Sequence, residues 1–168
     1  MDVSSIFIRS SDEGQRLRSS NLKQAVGRIY NLPRPRPIQL LHDADILHCD
    51  INPKNFLLDA QLQLKIADFG GSSLAGSKPS ACSGPRFILP DRWRDPPTVQ
   101  DDLFALGTTI YFIMTSKFPF PGFSEDEIEE NYRNGKFPDV SGIVCGEFIK
   151  RCWTSQIASA RELYNFVI

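Results

Sequence analysis

From Ile38 onward the apolar and polar positions sort into elements. Ile38-Gln-Leu-Leu-His-Asp-Ala-Asp-Ile-Leu47 reads as the end of a helix running into a short strand at Ile46-Leu47. Phe56-Leu57-Leu58 is an apolar run closed by the turn residues Asp59-Ala60-Gln61. Beyond it Leu62, Leu64 and Ile66 alternate with Gln63 and Lys65, as in a half-buried strand. Two short strands about a tight turn predict a β-hairpin. Residues 70–100 are rich in Gly, Ser and Pro and predict a long loop, which in a compact domain is usually functional.

Past the loop the pattern is helical. Asp101–Ser116 is apolar nearly all round, as in a buried central helix. Ser124-Glu-Asp-Glu127 is a capping box opening a helix that stops near Gly135. Cys145–Trp153 and Ala160–Ile168 predict two more. Upstream, residues 12–30 carry weak helical periodicity through Leu17, Leu22, Val26 and Ile29/Tyr30. The alternating prolines of Pro33-Arg-Pro-Arg-Pro37 forbid helix and sheet and predict a stiff polyproline II joint.

Composition narrows the function classes. In 168 residues, 41% hydrophobic and 23% charged side chains make an ordinary globular balance, and a net charge of −1 disfavours a phosphate-backbone binder. The charge is uneven: residues 1–37 hold seven basic and three acidic side chains (+4), the rest twelve and seventeen (−5). A basic stretch of this kind reads as a solvated surface or an interaction arm. The four cysteines form no C-x-x-C pair, and only His42 and His48 accompany them, so a zinc site is not expected. The apolar stretch Leu103–Met114 is too short for a membrane span, and the N-terminus has no signal-peptide pattern. An intracellular protein is expected, with neither nucleic-acid nor membrane partners.

The informative segment is His48-Cys-Asp50-Ile-Asn-Pro-Lys-Asn55, with Asp68-Phe69-Gly70 following eighteen residues after Asp50. It resembles the catalytic loop (H-R-D-x-x-x-x-N) and the metal-binding D-F-G motif of protein kinases, in that family's order and spacing. Six fixed letters give a chance match on the order of 10⁻⁶. Ser83-Gly-Pro-Arg-Phe-Ile-Leu-Pro90-Asp91 resembles the family's segment ending in A-P-E. Asp102-Leu-Phe-Ala-Leu-Gly107 resembles the start of its central helix, Arg151-Cys-Trp153 its penultimate helix, and Ala158-Ser-Ala-Arg-Glu-Leu163 the opening of the last.

The resemblance implies roles. Asp50 would accept or orient the proton of a substrate hydroxyl. Asn55 and Asp68 would supply hard oxygens to Mg²⁺ on ATP, with Phe69 and Gly70 completing the nucleotide-side motif. Alone, either Asp reads as a turn cap; spaced with Asn55 they read as the catalytic pair. Lys54, four residues after Asp50, is a cation within reach of the transferred phosphate. His48 and Phe69 would pack in the family's hydrophobic spine. Asp102, at the head of an apolar helix, reads as an N-cap and by resemblance also holds the catalytic-loop backbone. Asp91 stands where the family has the Glu of a buried Glu–Arg pair, with Ile157 near the Arg position, which implies a less rigid lobe.

Three departures bear on activity. The catalytic-loop Arg, which receives an activation-loop phosphate, is Cys49. The Lys two residues after the catalytic Asp is Asn52; Lys54 stands where tyrosine kinases often carry Arg, Pro53 favours the serine/threonine side, and acceptor specificity stays open. No Gly-x-Gly-x-x-Gly and no V-A-I-K-like lysine occurs, and Gln24 stands about where the regulatory-helix Glu would be. With 47 residues before His48, the nucleotide-binding lobe is expected to be largely absent.

The expected fold is the α+β protein kinase fold, represented mainly by its helical C-lobe with a small β-hairpin at the catalytic loop. Residues 1–37 would form a basic head with a regulatory-helix remnant and Pro-rich joint, and 38–168 the lobe. The expected function is transfer of the ATP γ-phosphoryl group, with Mg²⁺, to a protein Ser/Thr hydroxyl. The alternatives are a pseudokinase-type protein-binding module and a small-molecule phosphotransferase of kinase-like fold.

Overall fold

The computed structural model describes residues 9–10, 37–58, 64–80, 83–92 and 95–162. The helix expected at 12–30, the Pro33–Arg36 part of the joint, the hairpin turn at 59–61 and most of the last helix lie outside these residues.

Helix α1 (Pro37–Asp43) begins on a proline, whose fixed φ suits a first helical position. It turns through Asp45, in the left-handed region at φ 55°, into strand β2 (Ile46–Leu47). Strands β3 (Phe56–Leu58) and β4 (Leu64–Ile66) pair antiparallel, with Phe56 opposite Ile66 and Leu57 opposite Lys65. This is the expected hairpin.

Two strands were not legible. β1 (Arg9–Ser10) adds to β3 in parallel, with Arg9 opposite Leu57. β5 (Ser73–Leu74), inside the expected loop, pairs antiparallel with β2, setting Ile46 opposite Leu74 and Leu47 opposite Ser73. A two-residue strand is too short to show a period of two.

Helix α2 (Val99–Thr115) starts two residues before the expected Asp101. The Asp101 carboxylate accepts from the Thr98 N–H and the Thr98 hydroxyl, both at 2.7 Å. Thr98 is therefore the N-cap, which corrects the reading of Asp102 as the cap: Asp102 lies inside the first turn, 2% exposed. Helix α3 (Glu125–Arg133) opens on the Ser124/Glu127 capping box, and α4 (Gly146–Trp153) follows Cys145.

Apolar side chains on all faces make α2 the centre of the core. Leu103, Phe104, Leu106, Ile110 and Ile113 pack with Ile128 and Tyr132 of α3 and with Phe148, Ile149, Cys152 and Trp153 of α4. Each large one contributes about 1.5–3 kcal/mol on burial. A Cβ built on Gly107 would fall 2.6 Å from the Cys152 Cβ, so glycine is what lets α2 and α4 approach. The Trp153 indole N–H donates to the Thr108 hydroxyl at 2.9 Å, satisfying two polar groups inside that contact. Among the described residues no helix is long and apolar enough to cross a membrane.

Candidate active site

The loop from His48 to Asn55 is anchored from below. Asp102, on the first turn of α2, accepts the His48 N–H on Oδ2 at 2.8 Å and the Cys49 N–H on Oδ1 at 2.9 Å. The His42 ring of α1 reaches the same Oδ2 through Nε2 at 3.0 Å. A carboxylate oxygen only accepts, so His42 Nε2 is the donor. Cys49 takes φ 62°, a conformation costing a non-glycine residue roughly 1–2 kcal/mol. Its two neighbouring N–H bonds to Asp102 hold it there, and the turn delivers Asp50 to the other side of the loop.

The Asp50 carboxylate meets three side-chain donors. Oδ1 accepts from Asn52 Nδ2 at 2.9 Å and from the Ser83 hydroxyl at 2.5 Å, while Oδ2 accepts from Asn55 Nδ2 at 2.8 Å. Asn55 Nδ2 also donates to the Asp50 carbonyl at 2.8 Å. Asn52 caps the 3₁₀ turn Pro53–Asn55, its Oδ1 accepting the Lys54 N–H at 3.0 Å.

The β3–β4 hairpin then brings the second motif alongside. Ala67 N–H donates to the Asn55 carbonyl at 2.8 Å, and Asp68 follows in the left-handed region at φ 65°. Its side chain is solvent-exposed and, among the described residues, accepts no hydrogen bond. Phe69 leans on the His48 ring at 5.2 Å between centroids, and His48 Nε2 donates to the Ala67 carbonyl at 3.1 Å. Phe69 keeps 44% of its surface exposed. A Cβ on Gly70 would sit 3.4 Å from Asp68 Oδ1, so the glycine leaves that carboxylate room.

Asp50, Lys54, Asn55, Asp68 and Ser83 all line one open cleft of about 440 Å³. Phe69 and Gly70 follow Asp68 in the chain but are not among the residues lining the cleft; His48 and Asp102 do not line it either and act on the loop through the bonds above, and Asp91 is elsewhere. Asp91 pairs on the surface with Arg133 at 2.9 Å, both side chains more than half exposed. Such pairs contribute about 0–1 kcal/mol. Ile157 is buried at 2%, and its carbonyl accepts from Gln100 Nε2 at 2.8 Å.

The donor set fits Mg²⁺. Both N–H bonds of the Asn55 amide go to Asp50, so among the described residues its Oδ1 is left without a donor, facing the same cleft as the unpaired Asp68 carboxylate. One amide oxygen and one carboxylate are the sparse, hard protein ligands this ion takes when water and phosphate complete its shell. Among the described residues no group of three or more His, Cys, Asp and Glu side chains is placed to hold a metal. The Cys49 thiol, partly buried, is pushed up to about 11, first by desolvation and further by the Asp102 charge. It is a poor nucleophile at neutral pH.

Three residues of this arrangement escaped the sequence reading. The sequence offers His42 only as a metal ligand, Asn52 only as a departure from the family's lysine, and Ser83 only as the start of the segment ending at Pro90-Asp91. No local pattern marks His42 or Ser83, whose partners lie 60 and 33 positions away; Asn52 meets Asp50 only two positions away, a local contact that its departure from the family's lysine overshadows.

The chain's sequence relatives carry protein kinase names. The family model described as protein kinase domain matches residues 13–165. The chain is 34% identical over 127 residues to dual specificity protein kinase pyk3 of Dictyostelium discoideum, covering 68% of this chain and 9% of that protein. It is 36% identical over 98 residues to serine/threonine-protein kinase N3 of Mus musculus, covering 55% and 11%. Against CBL-interacting protein kinase 10 of Oryza sativa subsp. japonica it is 28% identical over 122 residues, covering 68% and 27%. The chain thus spans about a quarter or less of the length of these relatives. With the family model matching most of its length, this chain belongs to the protein kinase family.

Proposed function

We propose that this chain carries the phosphoryl-transfer machinery of a protein kinase and moves the ATP γ-phosphoryl group to a Ser or Thr hydroxyl of a protein. The observation that carries the reading is the joint lining of one cleft by Asp50, Asn55 and Asp68, with the Asn55 amide held on Asp50 and its oxygen left over. Asp50 orients the acceptor hydroxyl and takes its proton. Lys54 places an ammonium beside the transferred group, where negative charge grows in the transition state. Asn55 and Asp68 would hold Mg²⁺, which would supply charge neutralisation on the nucleotide phosphates when bound. Pro53 and the serine/threonine and dual-specificity names of relatives support a hydroxyl acceptor on Ser or Thr.

One observation favours a second reading. The 168 residues contain neither the Gly-x-Gly-x-x-Gly run nor the strand lysine that grip nucleotide phosphates, so the same lobe would serve as a protein-binding module. The discriminating experiment is thermal unfolding with Mg²⁺ and ATP. A ligand at a hundred times its Kd adds about 2.7 kcal/mol. A stabilisation that Asp68→Asn abolishes supports the transferase; no stabilisation in either protein supports the module.

A further inference from the structure

Asn52 stands where the family has a lysine, and both ends of its amide are committed. Nδ2 donates to Asp50 Oδ1 at 2.9 Å and to the Asp50 carbonyl at 3.1 Å, while the amide oxygen accepts the Lys54 N–H at 3.0 Å. The amide has one workable sense. Reversed, it would set an oxygen against two acceptor oxygens and an NH₂ against an N–H. A lysine has three donors and no acceptor, so at this position it could reach Asp50 but would leave the Lys54 N–H uncapped.

Asp50 is held by two amides, one from each end of the 3₁₀ turn Pro53–Asn55. Asn52 takes Oδ1 and Asn55 takes Oδ2 at 2.8 Å, and both also donate to the Asp50 carbonyl. A carboxylate oxygen offers two lone-pair directions. Those of Oδ1 are filled by Asn52 and Ser83, whereas among the described residues Oδ2 carries Asn55 alone. Oδ2 is therefore the oxygen with room for an outside hydroxyl. Asn52 lines the same cleft as Asp50, Lys54 and Asn55.

We infer that Asn52 is a positioning residue for the transfer: its one amide turns Asp50 so that Oδ2 is the proton-accepting atom, and it fixes the backbone of Lys54 at the same time. The inference rests on the phosphotransferase reading above. In the step, the acceptor O–H proton passes to Asp50 Oδ2 and the acceptor oxygen bonds the γ-phosphorus. The bond from that phosphorus to the β–γ bridging oxygen breaks, and ADP leaves with its electron pair. Asn52 gains and loses no bond to the reacting atoms and acts through the two residues it holds. Position 52 thus keeps an orienting donor without a charge, and the charge sits at Lys54.

Two variants of the full-length chain separate the two ends of the amide. Asn52→Asp keeps an oxygen for the Lys54 N–H and removes the donor to Asp50; Asn52→Ala removes both. Each should lower kcat for a serine-containing peptide by about tenfold or more, with KM for peptide and ATP within about twofold. A second readout needs no nucleotide. The ¹³Cγ signal of Asp50 should move in both variants, while hydrogen exchange at the Lys54 N–H should quicken about tenfold in Asn52→Ala alone. Full kcat in Asn52→Asp would show that the amide only caps the turn, and an unmoved Asp50 signal in both variants would show that it does not hold the carboxylate. Peptide phosphorylation that Asp50→Asn abolishes and Asn52→Ala leaves at full rate overturns the inference alone. No peptide phosphorylation by the unaltered chain overturns the proposed function and this inference together.

Discussion

The Asp102 carboxylate accepts the backbone N–H of Cys49 at 2.9 Å, and Cys49 is held at φ 62°. A buried side chain of the core helix thereby fixes a strained residue next to Asp50. An Asn at 102 offers one acceptor oxygen to donors that now use two. We predict that Asp102→Asn leaves one loop N–H unpaired and lowers stability by about 1–3 kcal/mol, and that Asp102→Ala lowers it further. Urea unfolding midpoints check this, and an unchanged midpoint for Asp102→Ala would refute the anchor.

The Cys49 thiol supplies a pH dependence. Its folded value of about 11 lies above the ordinary 9.0, so the folded state binds this proton more tightly than the unfolded chain. The contribution is fully present below pH 9 and is lost as pH rises towards 11. Alkylation of Cys49, followed residue by residue, should rise about tenfold per pH unit across that window. A plateau near the ordinary thiol value would show that burial does not govern it.

Between α2 and α4 the fit is tight enough to test from two directions. Thr108→Val keeps the shape but strips the Trp153 indole of its acceptor, at an expected loss of about 1–3 kcal/mol. Gly107→Ala drives a methyl into Cys152 and should destabilise by about 1–3 kcal/mol through overpacking. Shifts in the thermal midpoint measure both, and a stabilised Gly107→Ala would contradict the close approach.

Phosphate in the segment after Asp68 should not act as a switch through Cys49. The small cavity beneath Cys49, about 120 Å³, is lined by Pro79, Arg92, Asp95 and Asp101 among others. Its arginine is already paired, at 3.2 Å to Asp101 and 3.7 Å to Asp95. We therefore predict that Ser77→Asp and Ser80→Asp leave ATP affinity within about twofold. Titration of each variant by calorimetry tests this, and a tenfold gain would sink it.

The kinase-like site was legible where chemistry and spacing coincide. Asp50, Asn55 and Asp68 stand at fixed intervals because a short hairpin of set length separates them, and that length is written in the chain. Of the two roles the sequence offers Asp102, it bonds the loop backbone at His48 and Cys49, whereas the cap is Thr98, four residues earlier. The strands at Arg9–Ser10 and Ser73–Leu74 carry no periodicity to read. Ser83 and His42 gain their meaning only from partners supplied by the fold, and no local pattern encodes a contact across 33 or 60 positions.

The β2–β5 pairing has a mechanical consequence for the Asp68-Phe69-Gly70 stretch. Upstream, Ala67 is tied to Asn55; downstream, Ser73 is laddered to Leu47. Both ends of the intervening five residues, 68–72, are thus clamped to the same rigid loop. Reorientation of Asp68 then resembles a crankshaft turning between two bearings rather than the swing of a long arm. Motion of so short a span belongs to the nanosecond-to-microsecond range of loops, so the carboxylate can be presented or withdrawn without unfolding its supports.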